Sequence, residues 1–403
     1  MVNIKPFRGY LYNTALTGGI SRVIAPPWDI IDDREEAGLL GSSEWNVIRL
    51  ISQKLDPSQA DGVFLKWISG RILVEDSSPA FYFLKHTFSY MGKSYERKGI
   101  FGLLQIEDFS RGNIIPHENV FEKNHENRYR LIEKCLANFS PVFMLYQDAK
   151  DAIGRIVEKA PVMMEGEMKG DSLEFGRIDS RRDIEEITGV LSPGKLFIAD
   201  GHHRYQAAFR FYMDNPGDKN SRVLVFLANI ESTGLMILPT HRYIAGNVSF
   251  AGKKEVFEKY FHVEKSGGLE DMSARMESGR QGHSFGVYEK GDFHVITLKP
   301  GDIPFDPAGP GDHSKEWLSL DNVILKNLVI DRILGAGERE VIFNASAQAI
   351  LDEYSRRNEG VVFFVNPVSK ESFLKISMNG EKMPQKSTYF YPKVPTGFVI
   401  HRF

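Results

Sequence analysis

Cysteine is almost absent from this chain of 403 residues, in which Cys135 is the single thiol. One cysteine excludes an internal disulfide framework and a zinc site built from several cysteines, and it is typical of a reducing compartment. Long apolar runs are also missing, since no stretch approaches the roughly 18 residues that a membrane-spanning helix requires. Residues 1–13 lack the apolar stretch of a secretory signal peptide. We therefore expect a soluble, cytoplasmic protein.

Charge of one sign is not in excess either. Fifty Lys and Arg side chains stand against 53 Asp and Glu, so the formal net charge is only −3. Proteins that bind duplex nucleic acid or an anionic membrane through their overall charge carry a positive excess, so we expect neither partner. Hydrophobic residues make up 42% and charged residues 26% of the chain, which are globular proportions and exclude disorder for most of its length.

Strand and helix patterns both occur, but they do not alternate regularly. Pairs of apolar strand patterns flank the turn residues 91–93 and 290–292, which predicts two β-hairpins. Residues 126–138 and 345–356 have helical spacing, and residues 222–230 form an apolar run typical of a buried strand. This irregular order favours an α/β protein of the mixed α+β kind, with a mixed sheet, over a regular Rossmann arrangement.

The chain is long enough for two or three domains. We expect an α/β lobe over residues 1–245, a smaller α+β lobe over 246–382, and a C-terminal segment over 383–403 that folds back on the first lobe. That segment is rich in aromatic residues, prolines and lysines, whereas a solvated tail is more polar. Folding back would bring Lys386 and Ser387 to a ligand in the first lobe. The alternative is a tail that only packs on the core.

The densest cluster of chemically active side chains follows a short apolar strand pattern. Gly201 permits a turn that a residue with a Cβ resists, and the first N–H groups of the helix that follows attract anions. Arg204 adds a forked donor that matches phosphate oxygens, so these two residues are candidate phosphate-binding residues. Asp200 is a candidate general base or Mg²⁺ ligand, and His202 and His203 are candidate proton donors in catalysis.

The same residues also allow a purely structural interpretation. Asp200 would then be the N-cap of the helix, Gly201 an ordinary turn residue, and His203 a core or surface side chain. The local pattern does not choose between a functional turn and a structural one.

The segment Asp200–Arg204 resembles the Asp-Gly-His-Thr-Arg segment of ParB-like free serine kinases. More distantly, it resembles the phosphate-gripping segment of ParB nucleotidases and the Gly-Cys-His-Arg segment of sulfiredoxin. In those families the segment holds nucleotide phosphates at the start of a helix. The resemblance implies a ParB/sulfiredoxin-like phosphate-binding turn, a small phosphorylated ligand, ATP or ADP, and Mg²⁺. A histidine replaces the catalytic cysteine of sulfiredoxin, which argues against sulfinic-acid reduction.

A longer resemblance spans nearly the whole chain, which is similar to the domain of unknown function 1015 family. The chain departs from the family pattern at Trp28, where the family usually has tyrosine, so an aromatic wall is kept and a phenol is lost. The family has no settled activity, so this resemblance implies membership and no particular reaction. The matching stretches are residues 6–8, 25–31, 46–50, 116–118, 137–141, 199–207 and 383–393.

Two of these stretches carry further candidate binding residues. Prolines stiffen the first and present Trp28 and Asp29, which either line a pocket or form an ordinary turn in which Asp29 caps a helix over residues 34–39. Residues 46–50 alternate between apolar and polar, which predicts a strand with Arg49 on one face. There Arg49 either binds an anion or pairs with a carboxylate.

The region around His117 supplies the remaining candidates. His117 and Glu118 are candidate binding residues, and with His125 they are also potential metal ligands. The two histidines are eight residues apart, which is not a helical ligand spacing, so no metal site is predicted. Lys123 and Arg128 either reach a phosphate or mark a solvated helix face.

Together these observations predict a phosphate-handling enzyme. The preferred hypothesis is a kinase or related phosphotransferase acting on a small hydroxylated metabolite such as serine. Phosphoryl transfer depends mostly on positioning and electrostatic stabilisation, which the predicted turn supplies. The alternatives are a non-enzymatic, ParB-like nucleotide-binding regulator and a phosphatase on a small phosphoester. The sequence contains no Walker A motif, kinase Asp-Phe-Gly set or nucleophile elbow.

Overall fold

The computed structural model describes residues 1–118, 126–301, 313–337 and 340–403. In this part of the chain the fold is mixed α+β, as the sequence predicts. Two compact units are present: the first comprises Met1–Met236 together with Pro392–Phe403, and the second comprises Ile237–Tyr391. Among the described residues, no helix combines the length and the apolar character that crossing a membrane requires.

The first unit contains a large mixed sheet and helices that pack on it. Its strands are β1 (Ile4–Lys5), β2 (Tyr10–Tyr12), β3 (Leu73–Glu75), β4 (Phe81–Tyr90), β5 (Lys93–Gln105), β6 (Ile114–Pro116), β7 (Ala137–Asn138), β8 (Val142–Tyr146), β9 (Val162–Met168), β10 (Asp171–Ile178), β11 (Leu196–Asp200), β12 (Arg222–Asn229) and β21 (His401–Arg402). Its helices are α1 (Thr14–Thr17), α2 (Asp33–Ser42), α3 (Ile48–Ile51), α4 (Pro57–Ser69), α5 (Glu126–Cys135), α6 (Ala152–Lys159), α7 (Arg181–Leu191) and α8 (His202–Asp214).

The strand order of this sheet is β6-β11-β8-β12-β5-β4-β10-β9, and β1 pairs with β5. Two neighbouring pairs are parallel, β6 with β11 and β8 with β12, and the other neighbours are antiparallel. Each parallel pair brings the carboxyl ends of two strands to one edge of the sheet. Because β11 runs antiparallel to β8, the two pairs direct these ends to opposite edges.

Local sequence explains why these strands form. The hairpin β4–β5 confirms the prediction, and its turn residues Met91 and Gly92 both have positive φ, as the tight turn of a two-residue hairpin requires. Strand β8 is buried throughout, as are most residues of β11 and β12. Their continuous apolar runs suit strands covered on both faces. Val142, Ile198 and Val225 belong to the main core of this unit.

The last twelve residues belong to the first unit and pair with it at separate places. Thr396 forms a β-bridge with Ala25, Ile400 forms one with Tyr10, and β21 pairs with β7. Phe398 and Ile400 are fully buried. These pairings fix the course of the segment across the first unit.

The remaining strands of the chain are β13 (Met236–Leu238), β14 (His241–Ile244), β15 (Phe261–Ser266), β16 (Ser284–Glu289), β17 (Asp292–Leu298), β18 (Val341–Asn344), β19 (Val361–Phe364) and β20 (Tyr389–Tyr391). The second unit contains an antiparallel sheet in the order β15-β17-β16-β19-β14-β18. The predicted hairpin at residues 290–292 is confirmed as β16–β17. A π-helix over Leu325–Ile333 supplies much of the core of this unit. The remaining helices are α9 (Lys254–Tyr260), α10 (Leu269–Ser278), α11 (Lys315–Leu318), α12 (Asp321–Ile324), α13 (Ala347–Arg357) and α14 (Lys370–Met378).

One predicted strand is wrong. Residues 46–50 do not extend as a strand but enter the short helix α3. The side chain of Asn46 causes the turn, because its Nδ2 donates to the carbonyls of Arg22 and Ile24 while its Oδ1 accepts from the backbone N–H of Ile48. A five-residue alternation is too short to exclude this outcome.

Candidate functional site

The carboxyl ends of β6 and β11 lie side by side at one edge of the first unit's sheet. Ile198 of β11 is in register with Pro116 of β6, so His117 and Asp200 follow neighbouring parallel strands. Open α/β sheets usually bind their ligands at such an edge. We call it the Asp200 edge.

The turn after β11 is made by Gly201, which has a φ of 89° and is the N-cap of α8. No side chain caps this helix. A Cβ at Gly201 would lie 2.9 Å from both Cζ and Nε of Arg204, so glycine here lets the guanidinium fold back over the turn. Asp200 is the last residue of β11, and the alternative in which Asp200 is the N-cap is therefore wrong.

Both carboxylate oxygens of Asp200 contact cations. Its Oδ2 accepts from Nη2 of Arg204 at 2.6 Å, and its Oδ1 accepts from Nζ of Lys393 at 3.2 Å. Nη1 of Arg204 also donates to the carbonyl of Pro141. Burial by itself raises the pKa of Asp200, but Lys393 and Arg204 outweigh it and hold that pKa well below its ordinary value. Asp200 is therefore a carboxylate throughout the neutral range.

A third cation, Arg128 on α5, is near enough to Asp200 and Asp29 for their charges to affect its pKa. Burial and the charge of Arg204 lower the pKa of Arg128 to about 10, while Asp29 and Asp200 oppose this change, so Arg128 remains charged at neutral pH. We call Asp200, Arg204, Arg128 and Lys393 the Asp200 cluster. The cluster itself carries three positive charges and one negative charge, and this excess suits an anionic ligand.

Two histidine rings lie at the same edge. The rings of His117 and His202 pack edge to face with their centroids 4.8 Å apart. Nδ1 of His117 is 2.6 Å from the carbonyl oxygen of Ile198, and because a carbonyl only accepts, that nitrogen carries a proton. Nε2 of His117, 3.7 Å from Oε1 of Glu118, is then the nitrogen that gains or loses one. His203 is the next residue of α8 and is half-buried.

Trp28 and Asp29 begin a short 3-10 turn over Trp28–Ile30. Trp28 is half-buried and Asp29 exposed, and the charge of Asp29 reaches Arg128. The predicted capping role of Asp29 is wrong, because the side chain of Asp32 caps α2 by accepting from the N–H of Glu35.

The structure does not bring every predicted residue into the Asp200 cluster. Nη2 of Arg49 donates to the carbonyl of Leu40 at 2.6 Å, so its described contact is with the backbone. Lys386 is exposed, has a φ of 58° and belongs to the second unit. Lys123 and His125 lie outside the described residues. The ligand-binding roles of Arg49, Lys123 and Lys386 stay predictions.

Metal binding by this edge has no support in the geometry. The described residues contain no group of three or more His, Cys, Asp and Glu side chains arranged to hold an ion. Both oxygens of Asp200 already accept hydrogen bonds from cations. The carboxylate as placed therefore does not fit Mg²⁺.

Lys393 is the site residue that sequence reasoning missed. It lies 193 residues from Asp200 in the chain, and the pairing of Thr396 with Ala25 brings it there. The available signal was its position at the end of the stretch 383–393, one of those that carry the family resemblance. Three of these stretches meet at the Asp200 edge, since Asp200 bonds to Lys393 and Arg204 bonds to the carbonyl of Pro141.

The fold and the site define a mixed α+β protein with a cationic cluster at a parallel strand edge. The chain belongs to the family described as "Protein of unknown function (DUF1015)", whose match covers residues 4–323. A search of curated proteins finds no match.

Solved structures with distant similarity share 12–14% sequence identity with the chain. A conserved hypothetical protein from Pyrococcus furiosus has a TM-score of 0.36, with 72% of this chain and 91% of that chain covered. A free serine kinase in complex with AMP has a TM-score of 0.36, with 71% and 89% covered. SbnI with a C-terminal truncation, from Staphylococcus aureus, has a TM-score of 0.38, with 74% and 85% covered.

Proposed function

We propose that the Asp200 cluster binds the phosphates of a nucleotide, and that the protein is a phosphotransferase for a small hydroxylated metabolite such as serine. The observation that carries this proposal is the pair of bonds from Arg204 and Lys393 to Asp200 beside an uncapped helix start, with the charge of Arg128 nearby. Arg and Lys donors together with helix N–H groups form an arrangement suited to phosphate oxygens.

Within this proposal Asp200 is a positioning residue. A carboxylate whose pKa is held far below neutrality is a weak general base, because efficient bases have pKa values near the working pH. Asp200 instead holds Arg204 and Lys393 in place, so that their charges are preorganised for a phosphoryl group. The phosphoryl group would leave the nucleotide oxygen and bond to the acceptor hydroxyl oxygen, and the hydroxyl proton would pass to a base.

The pair His117 and His202 is the proposed route for that proton. Histidine changes protonation near neutral pH, and the carbonyl of Ile198 orients the His117 ring by accepting from Nδ1. His203, the neighbouring residue on α8, is the remaining histidine candidate. A binding-only regulator is the second candidate function, and the observation that favours it is the full engagement of both Asp200 oxygens.

The test combines binding with turnover. Calorimetry with ATP, ADP and inorganic pyrophosphate measures affinity, and phosphorus NMR follows ATP or ADP with serine, and phosphoserine alone. We expect nucleotide binding that Arg204→Ala weakens by about 1.5–3 kcal/mol, roughly 10- to 150-fold. Arg182→Ala, which removes an exposed arginine of α7, is the matched control and should bind as the wild type does.

The outcomes separate the candidate functions. Phosphoserine formed from serine supports the phosphotransferase, hydrolysis of phosphoserine alone supports the phosphatase, and binding without turnover supports the regulator. Unchanged nucleotide affinity in folded Arg204→Ala would remove the Asp200 cluster from the site.

A further inference from the structure

A cavity lies at the other edge of the first unit's sheet. It has a volume of about 460 Å³, within the range of small-molecule sites. The carboxyl ends of the parallel strands β8 and β12 meet there, with Tyr146 in register with Asn229. Asp200 pairs with Phe143, at the opposite end of β8. Three residues of strand span about 10 Å, so the cavity is separate from the Asp200 cluster.

The charged side chains that line this cavity are predominantly acidic. Glu96, Asp148, Asp151 and Glu231 supply four carboxylates, and Lys98 supplies the one cation among the described lining residues. That lysine is already bound, since its Nζ lies 3.3 Å from Glu96 and 2.5 Å from Glu158 outside the lining. The cavity therefore keeps a negative charge, which repels phosphate and attracts cations.

The buried wall of the cavity includes a phenol whose hydroxyl has no hydrogen-bond partner in the described residues. Tyr146 lines the cavity, and only 4% of its surface is exposed. Burial raises the pKa of Tyr146, and the nearby charges of Asp151 and Asp148 raise it further, so the hydroxyl stays protonated and lies near both carboxylates. The hydroxyl oxygen itself is open to the cavity rather than sealed in the core, so a ligand there can bond to it.

The carboxylates nearest to that phenol are held in place. Asn229 donates through Nδ2 to Oδ1 of Asp151 at 3.2 Å and to the backbone carbonyl of Asp148 at 2.7 Å. Gly154 leaves room for the Asp151 side chain, since a Cβ there would lie 2.1 Å from its Oδ2. The donors and acceptors of the cavity are therefore ordered before any ligand arrives, which reduces the entropic cost of binding.

We infer that this cavity is a second ligand site, which binds a small molecule through a primary ammonium group held by Asp151, Glu231 and the hydroxyl of Tyr146. An ammonium group has three donors and no acceptor, which matches two carboxylates and one phenol oxygen. The described residues offer no cluster of metal-ligating side chains here, so an organic cation fits the cavity better than a bare metal ion.

The experiment titrates the full-length protein with putrescine, a small diamine, and with 1,4-butanediol, its uncharged counterpart. Calorimetry measures affinity, and amide shifts in a ¹H–¹⁵N spectrum locate the site. We expect putrescine to bind and to shift the amides of Tyr146 and Asn229, and we expect the diol to do neither. Asp151→Asn and the milder Tyr146→Phe should each weaken putrescine binding about tenfold or more.

Two controls keep this inference separate from the proposed phosphate site. Glu44→Gln neutralises an exposed carboxylate outside the cavity and should leave putrescine affinity unchanged. Arg204→Ala should weaken nucleotide binding but leave putrescine binding intact. Equal affinity for putrescine and the diol, shifts outside the cavity, or full affinity in both cavity variants would overturn the inference.

Discussion

A single carboxylate organises the Asp200 edge. Asp200 accepts a hydrogen bond from Arg204, which is four residues later in the chain, and another from Lys393, which is 193 residues later. Its side chain is 18% exposed, so water screens these bonds only in part. Removing one member of such a group leaves its partners with unsatisfied charge, and the consequences can be measured at individual residues.

Asp200→Asn should lower the free energy of unfolding at neutral pH by about 1–3 kcal/mol, because Arg204 and Lys393 lose a charged acceptor. The pKa of Asp200 is depressed in the folded state, so its stabilising contribution is present above the unfolded pKa, about 3.9, and is lost as the pH falls further. Urea unfolding at pH 7 and pH 3 tests this. The difference between the variant and the wild type should shrink at pH 3, and a constant difference would contradict the ionic role.

Gly201→Ala should lower the free energy of unfolding by about 1–2 kcal/mol, because an L-residue is strained at a φ of 89°. The added Cβ also displaces Arg204, so phosphate affinity should fall in the same variant. Gly189→Ala is the matched control: this glycine lies inside α7 with no atom near an added Cβ, and the change should stabilise by roughly 0.4–1 kcal/mol. Equal effects of the two substitutions on unfolding would refute the argument.

At the scale of elements, the C-terminal segment matters most for the site. Its residues 392–403 pair with residues of β2, β7 and the stretch before Trp28. These pairings position Lys393 beside Asp200. The sequence-based expectation of a ligand-binding lysine near the chain end named Lys386. The two lysines therefore form a natural comparison.

Lys393→Gln should raise the dissociation constant of a phosphate ligand about tenfold, because one charge-assisted bond is lost. Lys386→Gln should leave it unchanged, since the side chain of Lys386 is exposed and the described bonds to Asp200 come from Arg204 and Lys393. Calorimetry with pyrophosphate and thermal unfolding of both variants provide the comparison. A loss confined to Lys386→Gln would reverse the assignment and restore the sequence-based choice.

Strands and hairpins were predictable because their signals are local. The turn residues at 91–93 and the apolar run at 222–230 each contain the information that forms the element. The prediction that placed Arg49 on a strand was wrong, because bonds from the Asn46 side chain to residues more than twenty positions away decide the turn there. A local pattern does not contain that information. Lys393 was missed for the same reason, since the pairing of Thr396 with Ala25 positions it and no local pattern encodes that pairing.

At the scale of the whole molecule, the second unit is a single continuous segment, Ile237–Tyr391, that interrupts the chain of the first. It has its own apolar core, which includes Phe257, Phe285 and Leu328. A segment with its own core is able to fold alone. The first unit, in contrast, needs both of its chain pieces.

We therefore expect the isolated segment Ile237–Tyr391 to unfold cooperatively in urea, with strand and helix signals in circular dichroism. The fragment Met1–Met236 lacks the segment that contains Phe398 and Ile400, and it should bind no phosphate ligand until a peptide of residues 392–403 is added. Strong phosphate binding by Met1–Met236 alone would show that Lys393 is dispensable.

This arrangement delays completion of the Asp200 cluster during synthesis on the ribosome. Asp200, Arg204 and Arg128 are made before the second unit, whereas Lys393 follows it. At roughly 5–20 residues per second, translation of Ile237–Tyr391 takes on the order of 10 s. During that time the nascent chain carries a carboxylate and two arginines without their lysine. The cluster is therefore complete only after translation has passed Lys393, and a chain terminated before that residue would lack it.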